Sequence, residues 1–170
     1  MECMPYCDVY FVAAADEEYA YRGVLKFLED GRTYDGAVIG EATSLKVCIA
    51  NKGVIRFYIT AYGVPFHSSM PWNGHNAIVD MAKLITKIEE RIQPRLQEYV
   101  HPIIGPRSLS ITTIQGGELV NIIPDQCRIQ IDVRTLAGDT FESISSEIQL
   151  LIDEMKSEDP SVDIRIEKPY

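Results

Sequence analysis

The sequence has no apolar run as long as 18 residues, so no segment reads as a membrane-spanning helix. Met1 to Cys7 lack the basic start and apolar stretch of a secretory signal, so the expected compartment is the cytoplasm. Basic runs are missing too. Sixteen Lys and Arg face 25 Asp and Glu, a net charge of −9, which suits neither nucleic-acid nor membrane-surface partners. Cysteine is scarce. Cys3, Cys7, Cys48 and Cys127 have no second Cys or His pair at zinc-site spacing, and they are expected as reduced, mostly buried side chains. Histidine is scarcer still: His67, His75 and His101 are the only three, and no H-x-D or H-x-H occurs. A catalytic zinc usually takes about three protein ligands with His among them, and these residues do not supply that set.

What is present falls into two parts. In the first, Val9 to Ala15 (VYFVAAA) is a continuous apolar run with the pattern of a strand buried on both faces. Arg22 to Glu29 is helical and stops at Asp30 and Gly31. Ala37 to Ile39 reads as a second short strand, completing a βαβ unit with two parallel strands. Parallel strands need cover on both faces, and about fifty residues cannot provide it. Residues 1–52 therefore read as an incomplete piece of a larger α/β domain.

Residues 53–170 read as a β-α-β-β-α-β unit, the ferredoxin-like pattern. Val54 to Tyr62 alternates, with Ile55, Phe57, Ile59 and Ala61 on one face and Arg56, Tyr58, Thr60 and Tyr62 on the other. Asn76 to Ile92 is an amphipathic helix with the stripe Ile78, Met81, Ala82, Ile85, Ile88, Ile92. Ser108 to Gln115 and Cys127 to Val133 are strands. Thr140 can cap a helix to about Lys156 with the stripe Phe141, Ile144, Ile148, Leu151, Ile152, Met155. Val162, Ile164 and Ile166 mark a last strand. The sheet face carrying Tyr58, Thr60, Gln130 and Asp132 is left either to solvent or to a partner.

Several side chains could carry chemistry. Asp16, Glu17 and Glu18 follow the first apolar run, and Glu41 follows the second. If both runs are parallel strands, these acids share one sheet edge, where ligands bind in open α/β sheets. One carboxylate could hold a divalent ion and its neighbour take a proton from water. The plain alternatives are helix-start and loop acids. His67, in a loop with hydroxyl neighbours, could stabilise an oxyanion or sit on the surface. Asn121 and Arg134 pair a neutral donor with a forked guanidinium, suited to carboxylate or amide recognition, or serve as a turn Asn and an ion-paired Arg. His75 and His101 read as structural.

The string Gly63 to Pro71 (GVPFHSSMP), followed by Gly74, Asn76, Ala77 and Ile78, resembles the G-x-x-x-H-S-S-x-P…G-x-N-A-I signature of the M20 metallopeptidases and deacylases. Gly116 and Gly117, Asn121 to Pro124 (NIIP), and Asp132 to Arg134 (DVR) are similar to that family's G-G…N-x-I-P…D-x-R. Asp16 to Glu18 resembles its D-E-E, and Gly40 to Thr43 (GEAT) its G-E-P-T, with Ala42 in place of Pro. The resemblance implies a zinc-binding catalytic domain interrupted by an inserted ferredoxin-like lid that dimerises. It implies Glu17 as general base, and Glu18 and Glu41 as ligands of a two-ion zinc, or cobalt, centre. It makes His67 the lid histidine that crosses a homodimer to steady the oxyanion. Asn121 and Arg134 would hold the substrate's carboxylate end. The reaction is hydrolysis of N-acyl amino acids or small peptides. The family's H-x-D, bridging Asp and C-terminal His are missing, so the chain is expected to be inactive alone. The alternative is a non-catalytic dimerisation or ligand-binding module.

Overall fold

The computed structural model describes residues 7–18 and 20–170, and its contacts divide the chain into two compact units, Met1–Lys46 and Val47–Tyr170. Cys3 lies outside the described residues.

Among the described residues of the first unit a single helix forms, α1 (Arg22–Leu28), with no fully buried residue. The two expected strands do not: residues 9–15 and 37–39 have no strand pairing, and Phe11 and Val38 stand 93% and 100% exposed. The physical reason is the shortage of cover already noted. A buried parallel strand needs neighbours on both edges and layers on both faces, and this unit has one seven-residue helix to offer.

The second unit holds a four-stranded sheet. Its elements are β1 (Gly53–Tyr62), α2 (Ala77–Arg91), β2 (Val100–His101), β3 (Gly105–Pro106), β4 (Ser108–Gly116), β5 (Gln126–Thr135), α3 (Phe141–Glu158) and β6 (Asp163–Ile166). The sheet order is β4-β5-β1-β6, every neighbouring pair antiparallel. Helix α2 crosses from β1 to β4 over β5, and α3 crosses from β5 to β6 over β1. Strands β2 and β3 make a hairpin of two-residue strands in the segment that Pro102, Gly105 and Pro106 mark as a loop.

One face of the sheet is buried under both helices. Phe57, Ile59, Ala61, Cys127, Ile129, Ile131 and Val133 have no exposed surface, in the alternation read from the sequence. Thr140 caps α3 through the Ser143 N–H at 3.1 Å, and Ser143 returns the bond to Thr140 N, a reciprocal capping box. The expected α3 stripe is buried, with Phe141 partly so. The α2 stripe holds in part: Met81, Ile88 and Ile92 are buried and Ile85 packs on the core, Ala77 and Leu84 join them, and Ile78 and Ala82 face outward, a shift of the buried face. Asp80 accounts for the shift: its carboxylate is drawn into the buried side by His75 Nε2 at 2.5 Å.

The C-terminal segment lies over part of the other sheet face, while Arg128 and Arg56 on it remain partly exposed. Glu167 N–H donates to the Tyr58 carbonyl at 2.9 Å, Thr60 Oγ1 donates to Glu167 Oε1 at 2.8 Å, and the Tyr170 ring stacks on Tyr58 at 5.1 Å. The Arg128 guanidinium lies 3.6 Å from the Tyr58 ring centre. Among the described cysteines, Cys7 and Cys48 are exposed and only Cys127 is buried. The expectation of mostly buried thiols therefore fails for the first two, which lie in segments without a core.

Candidate functional site

Glu17 and Glu18 are exposed in a turn built by Asp16. That residue takes the left-handed conformation (φ 65°), and its carbonyl accepts from Tyr21 N–H at 2.8 Å. Its carboxylate binds Arg22 Nε at 2.7 Å, so Asp16 is committed while its two neighbours stay open. Gly23 is required here, because any Cβ would collide with the backbone of Ala15. Glu41 is exposed in a second turn, where its carbonyl accepts from Thr43 N–H at 2.9 Å and Thr43 Oγ1 donates to the Lys46 carbonyl at 2.6 Å.

The donor set does not amount to a zinc site. Among the described residues, no three His, Cys, Asp or Glu side chains stand close enough to share an ion. The first unit contains no histidine, and a zinc held only by Glu18 and Glu41 would fall short of the usual ligand count.

In the second unit two loops pair at the end of the sheet where β1 leaves and β5 begins. Ser68 N–H donates to the Asn121 carbonyl at 2.9 Å, Ile123 N–H donates to the Phe66 carbonyl at 2.7 Å, and His67 bridges Ile122. His67 and Asn121, separated by more than fifty residues of chain, thus become neighbours. The His67 ring is exposed. Its Nδ1 accepts the Ser69 N–H at 3.2 Å and lies 2.8 Å from Ser69 Oγ. With Nδ1 occupied as an acceptor, the hydrogen of the neutral ring belongs on Nε2, which points a donor away from the loop.

The loop's base is equally fixed. Val64 and His75 exchange both backbone hydrogen bonds at 2.9 Å. A Cβ on Gly63 would strike the His75 carbonyl, and one on Gly74 would come within 2.9 Å of the Val64 carbonyl.

Arg134 lies elsewhere. It sits near the far end of β5, opposite Val54 and Ser108. At ~3.3 Å per residue it is roughly 26 Å along the strand from the His67 end. Its Nε donates to Asp132 Oδ1 at 2.9 Å, and Arg56 Nε donates to Asp132 Oδ2 at 2.9 Å. Asp132 thereby holds the guanidinium through its Nε, and the Arg134 side chain stays half exposed. Sequence reading grouped Asn121 with Arg134; the structure groups Asn121 with His67. The loop pairing that does so is carried by backbone atoms, which leave no residue pattern to read.

His101 Nδ1 accepts from Ile103 N–H at 3.2 Å, a local turn. His75, by contrast, joins a network of Asp80, Ser161 and Asp159 that its sequence neighbours do not announce.

Comparison with known proteins defines the class. Residues 49–160 match the peptidase dimerisation domain of the M20 family. The chain belongs to that family. It is 33% identical over 150 residues to an acetylornithine deacetylase of Buchnera aphidicola subsp. Schizaphis graminum, covering 86% of this chain and 38% of that protein. It is 28% identical over 158 residues to an acetylornithine deacetylase of Myxococcus xanthus, covering 91% and 42%. The chain thus spans about two fifths of the length of these curated relatives. A hydantoinase/carbamoylase family amidase from Burkholderia ambifaria shares the fold, with a TM-score of 0.56 at 13% identity over 72% of this chain and 29% of that one. The relatives are hydrolases. Among the described residues, no helix is long and apolar enough to cross a membrane.

Proposed function

We propose that this chain is part of a metal-dependent amidohydrolase acting on N-acyl amino acids or small peptides. On this reading residues 1–52 belong to its catalytic domain and residues 53–170 form its ferredoxin-like lid. The sheet order of the second unit and its two crossover helices support the lid assignment. The pairing of the His67 and Asn121 loops carries the functional reading, because it sets an imidazole donor and an amide on one rigid edge.

Glu17 takes the proton of the attacking water and returns it to the leaving amine. Glu18 and Glu41 would be two of the carboxylates holding a divalent ion, zinc or cobalt, whose charge would polarise the carbonyl under attack. The ion's remaining ligands are not among the described residues, and the chain alone is inactive. His67 Nε2–H donates to the oxyanion that forms as the carbonyl is attacked, the term that most lowers such barriers. Asn121 works beside it. Arg134, held by Asp132 through its Nε, offers its terminal nitrogens to the substrate's carboxylate.

A small substrate cannot reach both ends of β5. His67 and Asn121 therefore serve one site and Arg134 another, which calls for two copies of the lid. The dimer forms through the β4 edge and α2, where Ile114, Ile78 and Val79 are exposed. In the intact enzyme, mixing an inactive Glu17→Gln subunit with an inactive His67→Ala subunit should restore turnover in the mixed dimer. No restoration would place His67 in its own subunit's site.

The second reading, a dimerisation or ligand-binding module without catalysis, is favoured by one observation: the second unit has a complete buried core and the first has none. A full-length protein that dimerises but hydrolyses no N-acyl amino acid would support it.

A further inference from the structure

Of the two histidines that enter no step above, His75 has the more elaborate environment. His75 Nε2 lies 2.5 Å from Asp80 Oδ2, and Asp80 is 1% exposed. A carboxylate only accepts, so Nε2 carries the hydrogen on that side. On the other side, His75 Nδ1 lies 3.2 Å from Ser161 Oγ, which in turn lies 2.5 Å from Asp159 Oδ1. Lys83 Nζ stands 3.6 Å from the second oxygen of Asp80. One imidazole thus joins the first turn of α2 to the turn between α3 and β6.

The set resembles a nucleophilic triad in composition and differs from one in wiring. A nucleophilic serine must pass its proton to the ring, but here Asp159 is the nearer acceptor and stands ready for the hydroxyl hydrogen. The Asp159 carboxyl is held below its ordinary range, first by the Ser161 hydroxyl and then by the Ser161 N–H, with His75 and Lys83 adding attraction. Asp80 on one side and the Ser161–Asp159 turn on the other therefore hold the ring.

The clamped residue is also the closing residue of the His67 loop. Its backbone makes both bonds to Val64, three residues before His67. We propose that His75 is a positioning residue: anchored by Asp80 and by the Ser161–Asp159 turn, it fixes the returning arm of the loop and so holds His67 against the Asn121 loop. This rests on the proposed role of His67 for its catalytic meaning, but the positioning itself is independent of that role.

The test is residue-resolved amide hydrogen exchange on this chain. In His75→Leu, the amides of Val64, Ser68 and Ile123 should exchange at least tenfold faster, with those of Ile59 and Ile131 in the sheet centre unchanged. His75→Gln, which can still donate to Asp80, should restore most of the protection, and Ser161→Ala should release the loop in part. Unchanged loop exchange in His75→Leu, or an equal rise at every amide, overturns the proposal. Should His75→Leu not fold, Ser161→Ala and His75→Gln decide the matter by the same amides. The readout is exchange and not turnover, so failure of the catalytic reading of His67 would leave this result standing.

Discussion

Ser68 gives its backbone N–H to the carbonyl of Asn121 at 2.9 Å, and with the Ile123 N–H to Phe66 carbonyl bond at 2.7 Å it ties the loop after β1 to the loop after β4. Because the tie is between backbones, the side chains on either side of it can be changed without untying it. In the intact enzyme His67→Ala should therefore lower kcat by about 10²–10³ with KM little changed, the size expected for one lost oxyanion donor. The melting temperature should stay within about 2 °C, since the ring is exposed and its bonds are local. Steady-state kinetics with calorimetry on the same preparations checks both halves.

The free edge of β4 carries Ile114, 56% exposed, past a bulge between Ile111 and Thr113 that brings both isoleucines opposite inward residues of β5. A charge there would be buried on pairing and left unmatched. Ile114→Arg should convert dimer to monomer in multi-angle light scattering with the fold retained by circular dichroism. A dimer that survives the substitution would move the interface away from β4.

Helices α2 and α3 are cross-linked by Glu154, which accepts from Lys87 Nζ at 2.7 Å and Arg91 NH1 at 2.5 Å. The Lys87 bond, then the Arg91 bond, lower its carboxyl from 4.5 to about 2. A carboxyl depressed in the folded state stabilises it fully above the unfolded value and loses that contribution as pH falls through the folded one. The melting temperature of the wild type should therefore exceed that of Glu154→Gln at pH 6. The gap should close between pH 4.5 and about 2. It should be small and shrink with salt, because the group is partly solvated. A gap independent of pH would refute the assignment.

Cys127 packs in the core beneath Gly116, and burial pushes its thiol up. Cys7 and Cys48 are exposed. Iodoacetamide at pH 8 should label Cys7 and Cys48 at least tenfold faster than Cys127, read by peptide mass spectrometry, and denaturant should remove the difference. Fast labelling of Cys127 in the folded chain would contradict the core described above.

The strands of the second unit were legible because burial on one face leaves a period of two, as in Phe57, Ile59 and Ala61 or Cys127, Ile129 and Ile131. The cap of α3 was legible because Thr140 precedes an apolar stripe that is also its packing surface. The α2 face is legible only in part: Met81, Ile85, Ile88 and Ile92 meet the core, but periodicity counts only apolar residues and does not foresee Asp80 turning inward to His75. The two apolar runs of the first unit read as strands because composition reports the wish for burial and not its supply.

The amino-acid sequence by itself determined the strand and helix periods of residues 53–170, the family motifs, and the identity of the chemically able side chains. Those depend on local spacing and residue chemistry. Only the tertiary structure decided which of them meet. It placed Asn121 beside His67, left Arg134 at the far end of β5, laid Glu167 and Tyr170 over part of the polar sheet face, and set His75 between Asp80 and Ser161. Each depends on pairings made across the fold, by backbone bonds, ring stacking or a buried charge, and no repeat in the chain encodes them.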